Sequence, residues 1–151
     1  MAIRKSISRA TQVTCWRVSL LLVTGFMLWR VPNPAVAQVM EVINGGEIEY
    51  QRYCATCHGV DARGHGAMSK YLTVQPPNLK LLAKKNGGTF PFWEVYRKID
   101  GGSEVRGHGT REMPIWGDRF RADADGEGKS AQTQAAGRIL GLVFYLQYIQ
   151  E

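Results

Sequence analysis

Apolar residues recur at helical spacing in three stretches of the chain, and no window alternates with period two long enough to predict a strand. The first predicted helix begins near Asn44, a capping residue with Glu47 three positions on. Its apolar or small positions, Gly46, Tyr50, Tyr53, Cys54 and Cys57, fall on one helical face, and Gly59 suits the stop. A short helix is expected over Leu79–Lys85, ended by Gly87 and Gly88. The next starts at Pro91 and carries Phe92, Val95, Tyr96 and Ile99 at i, i+3, i+4 and i+7, before Gly101 and Gly102. The last runs from about Ala131 to Ile149 on a stripe of Ile139, Leu142, Val143, Leu146 and Ile149. Between them, glycines and prolines predict loops over 60–78 and 101–117, and the polar run 118–130 reads as an exposed connection. The expected fold class is all-α.

The chain has 151 residues and a formal net charge of +6. Five basic residues, Arg4, Lys5, Arg9, Arg17 and Arg30, and no acidic ones lie in residues 1–37. From Gln38 onward 14 basic residues face 13 acidic ones, a net charge of +1. The basic character belongs to the leader, so nothing points to a nucleic-acid partner. That leader has a basic start, a twelve-residue apolar stretch from Val18 to Trp29, and a c-region ending Ala35-Val36-Ala37. It reads as a signal peptide, 1–37, cleaved after Ala37, with one domain over 38–151 and export to the periplasm. The competing reading is an uncleaved anchor. Twelve apolar residues are short for a hydrocarbon core of roughly 30 Å, so no membrane span is expected in the mature chain.

Of three cysteines, Cys15 lies in the leader; Cys54 and Cys57 remain. Cys54-Ala55-Thr56-Cys57-His58 is the attachment sequence of a c-type haem. Cysteines about one helical turn apart can reach two vinyl groups of one macrocycle, and the histidine after the second projects toward iron. The competing readings are a plain disulfide, a redox dithiol, which would want a βαβ context, and a zinc site, which needs about four ligands. Only His65 and His108 could complete a zinc site. The motif occurs once, so one covalent haem c is expected, on Cys54 and Cys57 with His58 as an iron ligand.

The segment resembles the start of a class I c-type cytochrome of the bacterial monohaem kind. In that family a glycine and an aromatic precede the first cysteine by eight and four positions, and Gly46 and Tyr50 match both. The resemblance covers most of residues 44–150 and implies the cytochrome c-like fold, short helices and long loops around one haem. It implies that Tyr145, within Leu142-Val143-Phe144-Tyr145-Leu146, packs across the first helix. It implies Met113, followed by Pro114, as the second iron ligand; Met68, His65 and His108 are the rivals. Pro76 or Pro77 resembles the proline whose carbonyl accepts from the ligand histidine's ring. The polar run 118–130 departs from the family's compact form.

Trp93, Trp116, Arg106 and Arg111 are candidates to line the haem, although each taken singly reads as a core aromatic or a solvated arginine. Lys80, Lys84 and Lys85 could steer an acidic partner, or be a solvated face. With both axial positions filled by protein, the iron exchanges single electrons and no substrate reaches it. The expected function is thus periplasmic electron transfer between redox proteins, as a free carrier or a complex subunit, and not catalysis. The alternative is a haem protein with an open sixth position, ligand-binding or peroxidase-like.

Overall fold

The computed structural model describes residues 34–101 and 113–151. Within them the chain forms α1 (Pro34–Tyr53), α2 (Ala55–His58), α3 (Leu82–Lys85, entered through a 3₁₀ turn at Leu79–Leu81), α4 (Phe92–Asp100), α5 (Trp116–Ala122) and α6 (Lys129–Tyr148). A second 3₁₀ turn covers Ser69–Tyr71. The described residues contain no strand, and the fold is all-α. Chain contacts divide the protein between Ala37 and Gln38, and the larger unit, Gln38–Glu151, holds the core and the cysteine motif. No helix among the described residues is long and apolar enough to cross a membrane. Residues 1–33 of the expected signal peptide, and His108, Arg106 and Arg111, lie outside the described residues.

The start of α1 differs from the sequence expectation. The helix begins at Pro34, so Asn44 is interior and caps nothing. Residues 35–43 contain no glycine or proline, so nothing in them stops a helix from propagating back from the packed part. Val36, Val39 and Val42 remain exposed on it, and burial begins at Ile43, Gly46 and Tyr50.

The core is built where α1, α4, α5 and α6 meet. Ile139, Leu142, Val143 and Leu146 of α6 are buried, as their spacing predicts. So are Val95 and Ile99 of α4, and Gly101 ends that helix in the left-handed conformation (φ 94°) with its N–H on the Arg97 carbonyl. Gly46 lies directly against the backbone of Gly141: a Cβ there would overlap the Gly141 carbonyl. Tyr145 packs on Tyr50 with ring centroids 5.4 Å apart, so the expected aromatic contact forms beside a glycine–glycine crossing.

The run 118–130 is not simply an exposed connection. Its first part belongs to α5, whose Phe120 is fully buried between Tyr53 and Trp116. Flanked by Arg119 and Arg121, this single large apolar residue of the run gives no periodicity to read. The C-terminal end is tied down by Gln150. Its side chain accepts from the Ala83 N–H at 2.9 Å and donates to the Leu79 carbonyl at 2.8 Å. Glu151 pairs with Lys80 and Arg63, both at 2.6 Å. Lys80 is therefore engaged within the fold rather than a free member of a basic face.

Candidate cofactor site

The cysteine motif does not sit on one unbroken helix. α1 ends at Tyr53, Cys54 forms a turn, and α2 carries Ala55 to His58. The His58 N–H donates to the Cys54 carbonyl at 2.9 Å. A helix this short leaves its carbonyls without helical partners, and the following loop supplies them. Gly64, Gly66 and Met68 donate their N–H groups to the carbonyls of His58 (2.7 Å), Cys57 (3.1 Å) and Thr56 (2.9 Å). The loop therefore runs back along the motif. At Gly66 a Cβ would collide with the carbonyls of Thr56 and Ala55, and at Gly64 with that of Pro76. Glycine is required at both positions because backbone lies against backbone.

Tyr50 completes the support. It is fully buried, and its hydroxyl donates to the Gly59 carbonyl at 2.6 Å. Burial, aided by nearby Cys54, Tyr145 and Asp61, raises its pKa well above the ordinary tyrosine value. The folded hydroxyl thus keeps its proton where an unfolded tyrosine, near pH 10, loses it. Stability from this group is full below about pH 10 and declines as pH rises above it. Tyr50→Phe is expected to cost about 1–3 kcal/mol at neutral pH, because the buried Gly59 carbonyl loses its donor. It should also flatten the loss of stability between pH 9 and 11, with approximate limits set by the tyrosine value. Urea midpoints across that range check both.

Among the described residues the motif borders two clefts. The larger, about 820 Å³ with its open mouth included, has walls from Tyr50, Leu79, Leu82, Val95, Ile99, Leu142 and Leu146, with Pro77, Pro91, Glu94 and Lys98. The smaller, about 410 Å³, is lined by Tyr53, Cys57, Leu72, Pro76, Pro114 and Trp116. Cys54, His58 and Met113 line both. Thus the structure brings Met113, 55 positions further on, to the cleft of the cysteine motif. Of its rivals, Met68 is 43% exposed and His65 is exposed, and neither lines either of these two clefts. Trp116 lines the smaller cleft, whereas Trp93 is 63% exposed. Pro76 and Pro77 border the smaller and the larger cleft respectively.

The donor set suits a haem: two thiols, an imidazole and a thioether border a mainly apolar enclosure. Cys54 and Cys57 are free thiols, not a disulfide. Burial, with smaller effects from Glu49 and Cys57, pushes the Cys54 thiol up to about 12. It stays protonated near neutrality, unlike the readily ionised thiol on which dithiol oxidoreductases depend. Among the described residues no cluster of three or more His, Cys, Asp and Glu side chains is placed to hold a metal ion. A zinc site would need donors from elsewhere.

Most of the wall carries no signal in the sequence. Tyr53, Leu72, Leu79, Leu82, Leu142 and Leu146 have no chemical signature, and only their helical spacing hints at burial. No family model, curated protein or solved structure matches the chain.

Proposed function

We propose that the protein is an exported single-electron carrier of the class I cytochrome c type, with one haem c bound covalently through Cys54 and Cys57. The observation that carries this reading is the convergence of Cys54, His58 and Met113 on one largely apolar cleft. Bound there, a haem would supply a one-electron iron couple. His58 would hold the iron from the motif side, its backbone fixed by the loop that folds back over α2. Met113 would hold it as a soft thioether donor, and Pro114 restricts the backbone at Met113 to an extended conformation. Leu79, Leu82, Val95, Ile99, Leu142 and Leu146 give the cleft an apolar wall that would limit the water reaching the bound group.

With His58 and Met113 both holding the iron, the chain would offer a substrate no coordination position. Electron exchange with donor and acceptor proteins through a brief contact at the cleft mouth follows from that. The leader, residues 1–37, would direct the protein to the periplasm and be removed after Ala37. That cleavage would take the first four residues of α1 and leave its buried part intact.

Absorption spectra of the purified, oxidised protein and of Met113→Ala test the reading. The wild type should show the weak long-wavelength sulfur-to-iron band, and Met113→Ala should lose it while keeping covalent haem. A wild type without that band, high-spin and binding added ligands, would replace the carrier with a ligand-binding or peroxidase-like protein.

A further inference from the structure

A charged cluster outside both clefts bears on the wall they share. Arg138 of α6 places its guanidinium 3.9 Å from the centroid of Phe120 and 5.5 Å from that of Tyr53. Glu49 of α1 grips it with two hydrogen bonds, both 2.9 Å, from Nε and Nη2. Asp123, at the end of α5, lies 4.0 Å from Nη1. The Glu49 and Arg138 side chains are only 20% and 23% exposed. A forked pair of this kind fixes direction as well as distance, and less water competes for it than at an open surface.

These contacts lead to the site. Glu49 stands one helical turn before Tyr53, which borders the smaller cleft beside Cys54. The Tyr53 ring meets Trp116 at 5.4 Å and Phe120 at 5.6 Å, both on α5. Trp116 opens α5 three residues after Met113 and lines the same cleft as Met113. The placement of α5, and hence of the segment carrying Met113, therefore depends on a stack whose outer layer is Arg138.

We propose that Arg138 is a positioning residue: clamped by Glu49 and laid over Phe120 and Tyr53, it holds α5 and Met113 against the cleft. The inference rests on the reading of Met113 as an iron ligand. Without the clamp α5 samples positions in which the sulfur leaves the iron, while the helices themselves persist. The consequence is a shift of population, not a change of fold.

Imidazole, which competes with the sulfur for ferric iron, measures that shift. The holoprotein is titrated with it, and the sulfur-to-iron band is followed in wild type, Arg138→Leu and Glu49→Gln. Glu49→Gln keeps shape and volume, so it guards against a variant that fails to fold. Both variants should bind imidazole on the order of tenfold more tightly, with far-UV circular dichroism unchanged at the working temperature. Unchanged imidazole affinity in both would overturn the proposal. So would loss of helix content in both, which would make the pair a prop for the whole fold. A wild type lacking the band would instead bring down the Met113 reading, and this inference with it, before any variant is made.

Discussion

Changing Cys54 and Cys57 together to serine should leave the protein with no haem that survives denaturation, and with much of its tertiary structure lost. The first effect is chemical: serine hydroxyls do not replace the thiol sulfurs in the two proposed thioether links. The second is physical. Residues 38–151 form a small domain that has limited apolar surface to bury. Its helices leave a cleft of about 820 Å³ walled by Leu79, Leu82, Val95, Ile99, Leu142 and Leu146. Without the proposed covalent group these side chains would face water or collapse on one another. Binding that exists only in the folded state contributes directly to folding, and covalent attachment makes it permanent. Intact mass and haem staining on a denaturing gel check the first effect, and near-UV circular dichroism the second. Finding the wild type free of haem, with Cys54 and Cys57 joined as a disulfide, would sink the reading.

Gly46→Leu is the second substitution with a large expected effect. The crossing of α1 on α6 is set by backbone contact, Gly46 against Gly141 and the Leu142 nitrogen. A leucine there must drive the helices apart. That separates Tyr50 from Tyr145 and Glu49 from Arg138 at the same time. Overpacking at a rigid contact costs about 1–3 kcal/mol, and the lost partners add to it, so a total on the order of 3 kcal/mol or more is expected. Gly45 supplies the control. It is exposed, and a Cβ there meets nothing within 4 Å. Gly45→Ala should stabilise α1 by roughly 0.4–1 kcal/mol, since alanine has less freedom to lose on folding. Urea midpoints of the two variants should move in opposite directions. A Gly46 variant as stable as the wild type would mean that the helices do not cross there.

The parts of the protein behind these effects are unequally legible in its sequence. The cysteine motif depends on local spacing, so Cys54, Cys57 and His58 are evident without a structure. The α4 and α6 stripes are evident too, because a helix that buries one face repeats its apolar residues every three or four positions. The start of α1 is misleading: a capping pair at Asn44 and Glu47 is a local preference, and the intact helix-forming residues before it override it. α5 escapes notice because one pair of aromatics, Trp116 and Phe120, set among charged residues is too short a pattern to establish a period.

What the sequence determined by itself is the chemistry available: an all-α chain with one Cys-x-x-Cys-His, a Met-Pro in a later loop, and glycines placed for close contacts. Tertiary structure alone decided which of those groups meet. Met113 rather than Met68 or His65 lines the clefts, and Gly141 proves to be the partner of Gly46. Arg138, 89 residues from Glu49, closes the stack behind Tyr53. Spacing along a chain governs only neighbours within a few turns. Contacts between distant segments arise from the joint packing of several helices, which no local pattern records.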